Sequence, residues 1–227
     1  MSPVALVGGN EFRRECDSLD RALLDLMGGA GTRVVIVPTA ATNENPYVAG
    51  ENGMRHFRRL GAVPDKLLIC DEASARQRET AAQLEQFRVV YFTGGDPVYL
   101  LDTLRGSKAW EAVLAVHARG GLIAGSSAGA MALGGQMWRF DGWTPGLGLV
   151  PQVAVLPHHA TMAARWDARR MAATLPHGVT LVGMDEATAL LLPEGRVLGA
   201  GEVTVYGAEG PRAYADGALV SLQGRLE

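Results

Sequence analysis

Leu122-Ile-Ala-Gly125-Ser126-Ser127-Ala128-Gly129-Ala130 is the stretch whose reading decides the fold. An apolar, β-branched run leads directly into the pattern G-x-S-x-G and then into small residues of helical character. A serine on such a strand-to-helix elbow occupies a strained turn, where any larger neighbour would collide with the adjoining strand or helix. All the neighbours of Ser127 are small. The plainer reading is a glycine-rich turn with a serine N-cap. Ser126 offers a second hydroxyl but lacks the flanking glycine spacing.

Working outward, short apolar runs alternate with amphipathic stretches: Val4 to Val7, Val34 to Val37, Leu67 to Cys70, Val89 to Phe92 and Leu122 to Ala124 read as buried parallel strands. Helices are expected over Ser18 to Met27, Pro46 to Leu60, Ser74 to Phe87, Val98 to Leu104 and Ala109 to Arg119. This succession implies an α/β fold, a mostly parallel sheet with helices on both faces. Beyond Val150 come a run at Val153 to Leu156, a helix from about Arg165 to Leu175, and short strands at Val179 to Val182, Ala189 to Leu192, Val197 to Ala200, Val203 to Tyr206 and Ala218 to Leu222. These read as C-terminal β-hairpins extending the sheet. No repeat or low-complexity linker interrupts the 227 residues, so residues 1–227 are expected to form a single domain.

The net charge of −3 gives no basic field for nucleic acid or an anionic membrane surface. Cys16 and Cys70 stand apart from each other and from any zinc-ligand spacing, and no metal or organic cofactor is expected. Neither a signal-like n-region nor a run of membrane-spanning length is read, which points to the cytoplasm.

A serine hydroxyl needs a base. Of five histidines, His56, His117 and His177 read as surface or packing residues, whereas His158 and His159 follow the Val153 to Leu156 strand, at the strand edge where open α/β sheets place their ligands. Either could serve. For the carboxylate that would orient the base, Asp141 is the only acid between Ser127 and His158, with Asp185 and Glu186 as rivals. The backbone amide of Ala128, after the nucleophile, and the loop Thr93-Gly94-Gly95-Asp96 are candidates for stabilising an oxyanion.

Four segments, Val90-Tyr-Phe-Thr-Gly-Gly-Asp, Gly125-Ser-Ser-Ala-Gly-Ala, Gly148-Leu-Val-Pro running on to Leu156-Pro-His-His, and Gly183-Met-Asp-Glu-Ala-Thr-Ala-Leu, together resemble the dipeptidase E and cyanophycinase family of serine peptidases, in the family's order over roughly Val4 to Tyr206. The resemblance implies a class I glutamine amidotransferase-like core in which serine replaces the cysteine nucleophile. It implies Ser127 as nucleophile, His158 as base, Asp141 nearest the aspartate of dipeptidase E, Gly95 as the oxyanion glycine, and His159 at the family's aromatic position. Gly94, Asp96, His159, Arg165 and Arg169 become candidate substrate contacts, the arginines for an acidic P1 side chain. Asp96-Pro97 departs from the Asp-Gln of cyanophycinases.

The expected partner is a small peptide, with a second copy of the chain as a further candidate and neither nucleic acid nor membrane. Three other readings stay open: a cyanophycinase-like hydrolase, an esterase, and a catalytically idle amidotransferase-like binding module.

Overall fold

Apolar runs without alternation become strands buried on both faces. The computed structural model describes residues 2–140, 142–165 and 167–222. Its first part runs β1 (Val4–Val7), α1 (Asp17–Leu26), β2 (Arg33–Val37), α2 (Pro46–Arg59), β3 (Val63–Lys66), α3 (Glu72–Ala75), α4 (Arg78–Leu84), β4 (Val89–Phe92), α5 (Pro97–Leu104), α6 (Lys108–Ala118), β5 (Leu122–Ser126) and α7 (Ala128–Leu133). Strands β1, β5, β4, β2 and β3 lie side by side in that order, all parallel.

Successive side chains of each strand point to opposite faces. Val34, Ile36, Tyr91 and Ala124 pack with Leu19, Leu23 and Phe57 of α1 and α2, while Val35, Val37, Val90, Phe92 and Ile123 pack with Leu84, Leu101, Trp110 and Val116 from α4 to α6. Local chemistry starts the helices. Asn45, Asp96 and Ser107 each accept a hydrogen bond from a first-turn amide, and prolines follow the first two caps. Each such cap contributes about 1 kcal/mol.

The second part contains β6 (Gly134–Arg139), β7 (Gly142–Pro145), β8 (Val150–Leu156), α8 (His159–Met162), α9 (Ala168–Ala173), β9 (Thr180–Met184), β10 (Thr188–Leu192), β11 (Arg196–Gly199), β12 (Val203–Gly207) and β13 (Gly210–Tyr214). The β10–β11 hairpin extends the first sheet, with β10 antiparallel to β1. The remaining strands form a second sheet, ordered β13-β12-β9-β8-β6-β7, in which β8 lies parallel to both β6 and β9. One face, through Val153, Val155, Val182 and Val203, joins the core under α4 to α7. Its other face, Ala154, Leu156 and Leu181, is covered by Ala168 and Met171 of α9.

The α/β architecture, helices on both faces of the first sheet and C-terminal strands extending it, is the one expected from the sequence; the runs at Val153 to Leu156, Val179 to Val182 and Val203 to Tyr206, expected in the same sheet, build a second one instead. Local boundaries differ for physical reasons. The strand expected at Leu67 to Cys70 lies earlier, at β3, an edge strand whose residues alternate between exposed and half-buried and so carry no apolar run. The helix expected over Ser74 to Phe87 is interrupted at Gln77, which is extended and caps α4. Asp167 caps α9 and delays the start of the helix expected from Arg165. Of the strand expected over Ala218 to Leu222, a single bridge from Leu219 to Arg196 forms.

Candidate active site

Because β5 lies between β1 and β4, the residue that follows it is flanked by the loops leaving both neighbours. That residue is Ser127. Its backbone is held at φ 48°, ψ −107°, a region that costs about 1–3 kcal/mol and persists only where the surroundings enforce it. They do. Its N–H donates to the Val7 carbonyl (2.9 Å), and the flanking glycines allow the closest approaches: a Cβ on Gly125 would lie 2.6 Å from the Gly129 carbonyl carbon, and one on Gly129 would lie 2.7 Å from the Phe92 carbonyl oxygen. Ser127 is half-buried, whereas Ser126 is fully buried and donates its hydroxyl to Glu11 Oε2 at 2.8 Å.

The partners of Ser127 come from the second sheet. Leu156 of β8 and Gly183 of β9 are register partners at the ends of parallel strands, so the chain just beyond each emerges on the same edge. There, Ser127 Oγ lies 3.1 Å from His158 Nε2, and His158 Nδ1 lies 3.2 Å from Glu186 Oε1. Two backbone bonds fasten this group to the β1 loop: His158 N–H donates to Gly8 O (2.8 Å) and Ala187 N–H to Gly9 O (3.0 Å). The imidazole packs on Gly9, where a Cβ would come within 2.3 Å of His158 Cε1.

Burial raises the Glu186 carboxyl, but hydrogen bonds from the Thr161 hydroxyl, from its own backbone amide and from His158, with the charge of His158, outweigh it and hold the group below its ordinary value. The Thr161 bond is 2.6 Å long. An ionised carboxylate only accepts, so in the neutral imidazole Nδ1 carries the proton and the Nε2 lone pair faces the Ser127 hydroxyl. Such an arrangement can draw a proton from a nucleophile as it attacks.

The other expected residues fall into distinct places. The Gly95 and Ala128 amides have no hydrogen-bond acceptor among the described residues, while the Gly94 N–H donates to Glu11 Oε1 at 2.7 Å. Asp96 caps α5, accepting from Val98 N and Tyr99 N. His159 lies 2.7 Å from the Tyr206 hydroxyl and 3.7 Å from Asp185, away from Ser127. Asp185 therefore serves His159 and Glu186 serves His158. Burial pushes the Tyr206 phenol up, against the pull of Arg169; Arg169 on α9 and Arg165 before it are both exposed. Asp141 lies outside the described residues.

Sequence reasoning missed Thr161 and Glu11, and left Glu186 only as a rival. Glu186 carried a signal, its position just beyond an apolar strand. Among the described residues no group of three or more His, Cys, Asp or Glu could hold a metal ion, and no helix is long and apolar enough to cross a membrane.

Comparison with known proteins places the chain in a family. The model of peptidase family S51 matches residues 4–198. A cyanophycinase of Trichormus variabilis is 30% identical over 220 residues, covering 89% of this chain and 72% of the relative, and one of Geminocystis herdmanii is 26% identical, covering 90% and 80%. The crystal structure of a peptidase from an acI-B1 Actinobacterium superposes with TM-score 0.87 at 27% identity over 97% of each chain. A Listeria monocytogenes structure assigned to peptidase E shares the fold, with TM-score 0.63 at 19% identity over 94% of this chain and 98% of that one. The chain belongs to peptidase family S51 and is a hydrolase of the serine-peptidase type.

Proposed function

We propose that this peptidase cleaves small peptides through a Ser127–His158–Glu186 triad. The observation that carries the reading is the unbroken pair of contacts, 3.1 Å from Ser127 to His158 and 3.2 Å from His158 to Glu186. Ser127 attacks the scissile carbonyl carbon while His158 Nε2 takes the hydroxyl proton; His158 then returns that proton to the leaving amine, and water repeats the sequence on the acyl-enzyme. Glu186 holds the imidazole tautomer and stabilises the imidazolium that forms. The Gly95 and Ala128 amides donate to the oxygen that becomes negative, and such preorganised donors are each worth about 10²–10³ in rate.

For the substrate, the exposed guanidinium groups of Arg165 and Arg169 favour an acidic P1 side chain, since an arginine can hold a carboxylate with two parallel bonds. The likeness to cyanophycinases favours a second substrate, cyanophycin. Hydrolysis of dipeptides and tripeptides bearing Asp, Glu, Arg, Leu or Gly at P1, and of cyanophycin, measured for wild type and Ser127→Ala, tests both. Cleavage of acidic-P1 peptides that vanishes in the variant is expected. Activity retained by Ser127→Ala would discard the triad, and cleavage confined to cyanophycin would replace the small-peptide reading. A folded enzyme that cleaves nothing would favour a binding module.

A further inference from the structure

Glu11 spans two elements that meet beside the nucleophile. Its two oxygens bridge different elements: Oε1 accepts from the Gly94 N–H of the loop after β4 (2.7 Å), and Oε2 accepts from the Ser126 hydroxyl at the end of β5 (2.8 Å). The same carboxylate therefore ties the glycine loop to the residue immediately before the nucleophile. A Cβ placed on Gly94 would lie 3.1 Å from Glu11 Oε1 and 3.4 Å from Ser127 Cβ, so loop, carboxylate and nucleophile are in near contact.

The segment that carries Glu11 is itself over-determined. Asn10 and Phe12, on either side, hold left-handed backbones at φ 59° and 67°, conformations that non-glycine residues keep only when their surroundings enforce them. The Phe12 ring is wedged against Tyr91, His56 and Phe57 at 5.1, 5.8 and 6.1 Å between centroids, and the Cys16 thiol donates to the Asn10 carbonyl. The two preceding residues accept the bonds from His158 and Ala187. Residues 8–12 thus reach His158, Ala187 beside Glu186, the Gly94 loop and Ser126 beside the nucleophile.

Resting on the triad reading above, we propose that Glu11 is a positioning residue: it clamps the Gly94–Gly95 loop against the nucleophile strand, so that the Gly95 amide converges with that of Ala128 on the developing oxyanion. By taking the Gly94 N–H, the carboxylate also leaves Gly95, whose φ of 134° only glycine adopts readily, as the loop amide turned to substrate. Nothing in this role requires negative charge. It requires reach and two hydrogen-bonding atoms, which a glutamine also has, since its amide oxygen can accept from Gly94 while its NH₂ donates to the Ser126 hydroxyl.

The test compares Glu11→Ala, Glu11→Asp and Glu11→Gln in the full chain, with Ser127→Ala alongside, on a peptide the wild type cleaves. Because misplacing a catalytic donor by about an ångström costs about 10²-fold, Glu11→Ala is expected to lower kcat about 100-fold with KM changed less than about threefold. Glu11→Asp keeps the charge but, one methylene shorter, cannot span both partners, and falls in the same direction; Glu11→Gln is expected to recover most of the rate. Affinity for a peptide boronate, which mimics the tetrahedral oxyanion, falls in step with kcat. If Glu11→Ala fails to fold, the Asp and Gln variants decide.

Aspartate outperforming glutamine would overturn the clamp in favour of a charge role. A rise in KM alone, restricted to substrates with a free α-amine, would overturn it in favour of direct substrate contact. Unchanged kcat in all three variants, with Ser127→Ala inactive, would sink the clamp and leave the triad standing. An active Ser127→Ala would sink the triad.

Discussion

Two histidine–carboxylate pairs in this molecule have opposite fates. His158 and Glu186 are 3.2 Å apart at the mouth of the site, with side chains 34% and 16% exposed; His56 and Asp20 are 2.7 Å apart and wholly buried at 1% and 0%. The shorter, drier pair has no nucleophile. His56 Nδ1 is occupied by Arg59 at 3.1 Å, which is itself held to Asp17 by two bonds of 2.5 and 2.7 Å, so neither ring nitrogen is free to take a proton from a hydroxyl. At His158 the second nitrogen faces Ser127. A carboxylate beside an imidazole is thus insufficient to make a base; the occupant of the far nitrogen decides.

The buried pair answers a packing problem instead. Burial pushes the Asp20 carboxyl up and the His56 bond pulls it down, while one carboxyl oxygen has no partner among the described residues. His56 ties α2 to Asp20 on α1 beneath the Phe12 ring.

The largest effect that would break the contrast belongs to Ser127→Ala, expected to lower kcat by about 10⁴-fold or more; steady-state hydrolysis that persists would leave the His158 pair no more catalytic than the His56 pair. Next comes Glu186→Gln. With the imidazole no longer held in its productive tautomer, kcat should fall about 10³-fold with little change in KM.

His56→Ala should show the reverse. Removing one partner of a buried pair costs about 3 kcal/mol, read as a lower urea midpoint, while kcat of the folded enzyme falls less than about tenfold, a loss too small for a base. The smallest effect concerns acid. Glu186 titrates below its ordinary value when folded, so its contribution to stability is present above the unfolded value, about 4.3, and is lost as pH falls through the folded value. Urea unfolding of wild type and Glu186→Gln between pH 7 and pH 3 should show a gap that closes toward the acid end; a gap that widens there would reverse the sign.

The contrast also shows where sequence reading succeeds. The elbow at Ser127 was legible because its causes are local: an apolar run, small flanking residues, and glycines whose hydrogens alone fit between β5, α7 and Phe92. His158 was legible as a histidine just past a strand. His56 read as a surface or packing residue and is buried. Glu186 could not be ranked above its rivals, because its proximity to His158 depends on the parallel pairing of β8 with β9, two strands separated by α8 and α9. The second sheet was illegible for a similar reason. Gly134-Gly-Gln-Met-Trp-Arg carries neither an apolar run nor clean alternation, and it becomes a strand by pairing with β7 and β8. Glu11 was one of 24 acidic residues in the chain, and only the meeting of the loops after β1 and β4 with the end of β5 gives it a place.

The most direct measurement of the central claim is labelling with a fluorophosphonate, which bonds covalently to an activated serine, mapped by peptide mass spectrometry on wild type, Glu186→Gln and His56→Ala. The expected result is a single adduct on Ser127, formed at similar rates in wild type and His56→Ala and about 10³-fold more slowly in Glu186→Gln. An adduct on Ser126, or labelling of Ser127 that ignores Glu186 and depends on His56, would contradict it.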